Sequence, residues 1–366
     1  MTSLDSALLD RTIDRTIELA EIPAPPLDEA DRAARVEKWW VADGLDAVGI
    51  DSTGNVWGRL RDGRTPALVV CAHLDTVFSR AVAHSVERDG PYLRGPSVGD
   101  DSVALASIST LDLLVPDESA RAIWALATIG EEGLGNLAGV TAALARPAAP
   151  VGAMIALEGN WLGRVCTVGV GSVRWRVELT GPGGHSWEQA DAPSSVHALG
   201  RVVAALDGLV RPSGGRSSVN VARVGGGEAI NARARAAWFE VDMRADTQLA
   251  LDELVAGAAQ ALDGNLGPDI ECAVEVIGER PAGSVRDDHP LVTAATEALA
   301  GVGRRASLTA ASTDANAAHA LGIPAIAIGV TVGAGEHTED EWIDTRTLAD
   351  GLEALAATVS AAVEVI

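Results

Sequence analysis

The chain has 366 residues, 47% of them hydrophobic and 22% charged, with 28 basic against 51 acidic side chains and a net charge of −23. At that length two structural units are expected rather than one, and the acidic balance argues against a nucleic-acid or anionic-membrane partner. Three cysteines (Cys71, Cys166, Cys272) stand far apart with no CxxC, so neither a disulfide framework nor a thiolate metal site is indicated.

The opening stretch, MTSLDSALLDRTIDRTIELAEI, carries acids throughout and lacks an apolar h-region, so no secretory signal is expected there. No run reaches the ~18 to 20 uncharged apolar residues of a bilayer span, and the cytoplasm is the expected location. Helical spacing of apolar residues predicts a helix over 3–22, stopped by PAPP, and a second over 29–43 ending near Gly44. ALVVCAHL then reads as a buried strand, 101–115 as a helix, RAIWALATI as a strand, 136–146 as a helix and VGAMIALEG as a strand. Continuous apolar strands alternating with helices predict an α/β domain with a mostly parallel sheet and helices on both faces.

From about residue 169 the pattern changes. SVRWRVELTG alternates polar and apolar, a helix follows over 194–210, and SSVNVARVGGG and ARAAWFEVDMRA read as strands, with VGGG as a hairpin-type turn. A helix over 247–263 and the strand IECAVEVIG complete a β-α-β-β-α-β series, the order of a ferredoxin-like α+β unit. Helices over 289–301 and 313–321, the strand PAIAIGV and a final helix from 346 then resume the first pattern. The expected organisation is a catalytic domain of residues 1–168 and 281–366, interrupted by an inserted domain of residues 169–280.

Open α/β sheets bind ligands beyond the carboxyl ends of their strands, and there the unusual polar residues collect. His73 and Asp75 follow one strand and Asp100 and Asp101 precede a helix. Glu131 and Glu132 follow the next strand, Glu158 ends another, and His337 follows the last. Each alone has a plainer reading: an Asp pair caps a helix, a Glu pair forms a solvated turn, and a histidine in a polar loop is surface. Four strand ends and one helix start, each supplying an imidazole or carboxylate, are not explained that way. Imidazole and oxygen donors without thiolate suit zinc, cobalt or manganese. The carboxylates are too many for one tetrahedral metal and suit a pair sharing a bridging carboxylate, with the remaining acids free to orient an imidazole or act as a general base.

The motifs HLDTV, GDDS, EEGLGN, ALEG, GPGGHSW and GEHTEDE, in that order, resemble the M20 family of dinuclear zinc peptidases and amidohydrolases across almost the whole chain. The resemblance implies two Zn²⁺ per subunit, with Co²⁺ or Mn²⁺ as substitutes. His73, Asp100 and Glu158 would hold one, and Asp100, Glu132 and His337 the other, so that Asp100 bridges. Asp75 would hydrogen-bond the His73 ring, Glu131 would be the general base, and the Asp100–Asp101 peptide would be cis. His185 would reach across a homodimer formed by the inserted lid domain to polarise the scissile carbonyl. Asn231 and Arg244 would grip the substrate. Many members carry lysine two positions after the bridging aspartate where this chain has Ser102, a departure that bears on substrate rather than on the metals.

The expected activity is metal-dependent hydrolysis of an amide bond in a small substrate with a free carboxylate. A di- or tripeptide is the leading candidate and an N-acyl amino acid the alternative. A non-catalytic binding protein on the same fold is disfavoured because every ligand position is filled, and a dinucleotide-binding fold because G-x-G-x-x-G is missing after the first strand. Trp124, Trp175 and Trp238 are expected in the core, while Trp161 and Trp187 suit either core or pocket.

Overall fold

The computed structural model describes residues 4–212 and 215–366. The chain divides into two compact units, one running to Gly169 and resuming over Ser284–Ile366, the other Val170–Gly283.

The larger unit is built on a sheet whose order is Asp46–Ile50, Val56–Arg61, Arg121–Thr128, Arg64–His73, Val151–Leu157, Ala325–Ile328 and Arg164–Gly169. The middle strands are parallel, whereas the pairs at either side, such as Val56–Arg61 with Arg121–Thr128, are antiparallel. The run Leu68–Ala72 shows why the strand reads as uninterruptedly apolar. Leu68, Val70 and Ala72 face one core with Leu105, Ile108, Leu352, Leu355 and Val359, while Val69 and Cys71 face another with Leu137, Val140 and Ala318. Alternation of side chains across a strand feeds both layers, and each fully buried Val or Leu contributes about 1.5–3 kcal/mol.

Helices on the first face include Ser6–Ala20, Ala30–Asp43, Val103–Leu111, Pro290–Gly301 and Leu348–Val365; Ala138–Ala145 and Ala315–Ala320 cover the second. Asp5 caps the first helix through Ala7 N–H, and Gly44, at φ 87°, ends the second in the left-handed conformation that favours glycine. A small antiparallel sheet of Glu87–Asp89, Tyr92–Arg94, Trp342–Asp344 and Val332–Ala334 lies outside the sequence expectation. Its three-residue strands are too short to show periodicity. Among the described residues no helix is long and apolar enough to cross a membrane.

The smaller unit is a four-stranded antiparallel sheet in the order Ser217–Gly226, Ala236–Ala245, Gly171–Thr180 and Glu271–Arg280. Its first and last strands in sequence lie side by side, with Ser172 opposite Arg280. Helices Ser195–Asp207 and Gln248–Asn265 cover one face through Leu199, Val202, Leu251 and Leu254, packed on Trp175, Val177, Phe239 and Val241. The element order is the expected β-α-β-β-α-β.

Two expectations in this unit are corrected. VGGG is not the turn: Val224 to Gly226 continue the strand opposite Phe239 to Ala237, and a Cβ at Gly226 would come within 2.6 Å of Ala237 Cα. Trp238 is not in the core. It points away from the helices, its register opposite to Ala237 and Phe239, and lies under the Arg176 guanidinium at 3.7 Å from the ring centroid. Trp124 and Trp175 are buried as expected.

Candidate metal centre

The parallel strands all end at one side of the sheet, and the polar residues expected there meet. His73 is the last residue of Arg64–His73, and its backbone N–H donates to Asp101 Oδ2 at 3.1 Å. Glu158 follows Val151–Leu157, and the next N–H, of Gly159, donates to the other Asp101 oxygen at 3.0 Å. Asp101 therefore does not cap the helix behind it; it joins two strand ends. Glu131 and Glu132 follow Arg121–Thr128, and their N–H groups donate to the two carboxylate oxygens of Asp75 at 2.9 and 2.7 Å.

Asp100 lies in the turn Val98–Ser102, and the Asp100–Asp101 peptide is cis. The N–H groups of Gly99 and Asp100 both donate to Glu341 Oε1, at 2.9 and 2.7 Å. A Cβ at Gly99 would fall 2.6 Å from that oxygen, so glycine is needed for the approach. His337 sits in the connection between Val332–Ala334 and Trp342–Asp344 at φ 65°.

Asp100 stands between the two histidines. Its Oδ1 is 2.8 Å from His73 Nε2, and its Oδ2 is 3.3 Å from His337 Nε2, which also lies 3.0 Å from Glu132 Oε1. In each of the triples His73, Asp100, Glu158 and Asp100, Glu132, His337, the donor atoms lie within 4.8 Å of one another. Asp100 is common to both. A third such triple, His73, Glu131 and Glu132, places Glu131 at the same centre.

The family model for peptidase family M20/M25/M40 matches residues 69–361. The chain belongs to this family. Aminopeptidase PepT from Bacillus cereus superposes with a TM-score of 0.80 at 20% identity, covering 96% of this chain and 98% of that one. A tripeptidase from Staphylococcus aureus gives 0.81 at 19% identity, covering 97% and 99%. The YXEP protein of Bacillus subtilis, described as a dinuclear metal binding peptidase of the M20 family, gives 0.71 at 17% identity over 99% and 100%. Among curated proteins none matches the chain.

The donor chemistry of this M20 chain fits a cation pair. His73 Nδ1 is 3.0 Å from the Asp75 carbonyl oxygen, which can only accept, so Nδ1 carries the proton and the neutral ring presents a lone pair at Nε2. That lone pair faces Asp100 Oδ1, and two acceptors 2.8 Å apart require a cation or a second proton between them. The Asp75 carboxylate is the more distant partner, its Oδ1 3.6 Å from Nδ1. The backbone carbonyl is thus the nearer acceptor for the ring, and the Asp75 carboxylate, held by the Glu131 and Glu132 amides, adds its charge beside it.

The surrounding charges favour positive charge at the ring nitrogens, supplied by a second proton or by a cation. Burial opposes a charged His73, but Asp101, Asp100 and Asp75 hold it well above the usual imidazole range. Hydrogen bonds to Asp100 and Glu132 push His337 up to about 10. Burial, reinforced by Asp100 and Asp101, drives Glu158 upward, and burial raises Glu132. Against burial, hydrogen bonds from the two histidines keep Asp100 below the ordinary carboxylate range. Divalent cations at this centre would relieve so many acids around two imidazoles.

The remaining expected residues lie in the smaller unit. His185 pairs with Ala232 on two short strands, and Ser186 N–H donates to the Asn231 carbonyl at 2.9 Å, so His185 and Asn231 are neighbours. Both side chains are exposed, as is Trp187. Arg244 lies on Ala236–Ala245, half-buried, with Nε donating to Asp242 Oδ2 at 2.7 Å. Trp161 is half-buried under the Arg164 guanidinium.

Three residues around the centre went unread in the sequence. Glu29 accepts the N–H groups of Leu27 and Gly130 at 2.6 and 2.9 Å, beside Glu131. Glu341 holds the amides of Gly99 and Asp100. Arg32 is fully buried; burial lowers it to about 10 against the opposing pull of Asp75, Asp101, Glu341 and Asp100, so it stays charged at neutral pH. A signal existed for Arg32, which shares a helical stripe with the buried Val36 and Trp39 at i+4 and i+7.

Proposed function

We propose that this M20 member is a metal-dependent peptidase of the cytoplasm that cleaves di- or tripeptides bearing a free carboxylate. The observation that carries the reading is Asp100, shared by two histidine-containing donor triples. The aminopeptidase and tripeptidase character of two structural neighbours supports peptides as the substrate class. The three unpaired cysteines accord with a reducing compartment.

In this reading His73, Asp100 and Glu158 hold one cation and Asp100, Glu132 and His337 the other, with zinc as the native metal and cobalt or manganese as substitutes. A cation pair there would polarise the scissile carbonyl and acidify a water molecule. Glu131 takes a proton from the attacking water and returns it to the leaving amine. Asp75 positions Glu131 and Glu132 through their amides. The inserted unit, residues 169–280 in the sequence division, serves as lid and dimerisation domain. From it His185 of one subunit donates a hydrogen bond to the developing oxyanion in the other, and Asn231 and Arg244 grip the substrate, Arg244 by its carboxylate.

The test is a panel of dipeptides, tripeptides and N-acetyl amino acids assayed after chelation and after return of zinc, cobalt or manganese. Peptide turnover that depends on added metal is expected. Turnover of N-acetyl amino acids alone would replace the peptidase reading by a deacylase one, and an anomalous-scattering map without two adjacent peaks at Asp100 would remove the metal pair.

A further inference from the structure

Around the candidate ligands lies a frame of carboxylates that are not ligands. Asp101 holds the backbone of His73 and of the residue after Glu158, Asp75 the backbones of Glu131 and Glu132, and Glu341 the backbones of Gly99 and Asp100. All three are fully buried. Buried acids held this way need a counter-charge close by.

Arg32 meets that need and does more. Its Nε donates to the Ile22 carbonyl at 2.9 Å. One terminal nitrogen donates to the carbonyl of Leu74, between His73 and Asp75, at 3.1 Å, and the other to Ser97 Oγ at 2.8 Å. Ser97, at φ 58°, opens the turn that carries Asp100, and its carbonyl accepts the N–H of Ser102 at 3.2 Å. A single planar guanidinium thus spans three segments that are distant in sequence, a reach that an ammonium cannot reproduce.

We propose that Arg32 is a positioning residue for the metal pair: it ties the strand end bearing His73 to the turn bearing Asp100 and neutralises the carboxylates that fix the ligand backbones. The proposal rests on the metal pair assigned to these ligands under the proposed function. It predicts that the His73–Asp100 spacing depends on a side chain on the second helix that touches neither of them.

The test uses the full-length protein, stripped with a chelator and titrated with Co²⁺, as wild type, Arg32→Met, Arg32→Lys and Ser97→Ala. Affinity is read by competition with a chromophoric chelator, and coordination by the visible d–d bands. Wild type is expected to take up two equivalents. Arg32→Met should bind about 10- to 100-fold more weakly, the range for partners outside the ligand set, with shifted bands. Arg32→Lys, which keeps the charge and loses the fork, should recover part of the affinity. Wild-type affinity and unshifted bands in Arg32→Met overturn the proposal. Should that variant lack native near-ultraviolet circular dichroism, the same result in Ser97→Ala overturns it, because Ser97→Ala removes only the tie to the Asp100 turn. Wild-type protein that takes up no Co²⁺ removes the metal pair itself, and the role of Arg32 with it.

Discussion

His337 Nε2 lies 3.0 Å from Glu132 Oε1, joining residues 205 positions apart in sequence. His337 is also the one donor carried by a loop rather than by a strand end or the turn before a helix, and its side chain is about half exposed. His337→Ala is expected to retain the fold, lose one of two metal equivalents by elemental analysis, and reduce turnover at least about 100-fold, more than the loss of a group outside the ligand set.

Glu131→Gln should separate chemistry from metal binding. The amide cannot take a proton from water, so kcat should fall by about 10²- to 10⁴-fold, while both metal equivalents remain. Near-wild-type turnover would remove Glu131 from the role of base.

Asp75→Asn replaces one of two buried acceptors by an N–H donor facing a backbone N–H. An unsatisfied pair of that kind costs about 1–3 kcal/mol. Thermal melting should therefore fall by several degrees, and metal affinity should weaken because the Glu131–Glu132 segment loses one of its two ties to Asp75. Unchanged melting would show that these amides find other acceptors.

His319, on Ala315–Ala320, gives an acid-stability prediction at a residue outside the candidate ligand set. Burial lowers it to about 4, below the ordinary imidazole value of about 6.5. The native state favours the neutral ring, so its contribution is complete above the unfolded value and is lost as pH falls from about 6.5 through 4. His319→Gln should flatten the fall of melting temperature across that window. A variant whose profile parallels wild type would assign the acid loss to other groups.

The parallel strands and the candidate ligands at or after their ends, His73, Glu132 and Glu158, were legible because buried strands in such a sheet are continuous apolar runs, and polar residues there stand out; Asp100 and His337 were read from the GDDS and GEHTEDE motifs. The antiparallel edge at Asp46–Ile50 and Val56–Arg61 was not, since short strands of mixed polarity resemble loops. Trp238 misled because an indole on an alternating strand suits either face, and only the helix positions decide which one is covered. Arg32 was missed although its helical stripe with Val36 and Trp39 marked it, whereas Glu29 and Glu341 were missed for a shared reason. A charged residue in a polar stretch is normally solvated, and nothing local reveals that its partners are backbone amides brought in from elsewhere in the chain.

Because Ser172 and Arg280 face each other across neighbouring strands, the segment between them leaves from and returns to nearly one point. A cassette with adjoining ends can be cut out and closed with a few residues, or exchanged for another, without rerouting the polypeptide that builds the larger unit. Such connectivity lets the cassette be revised while the polypeptide of the larger unit stays as it was.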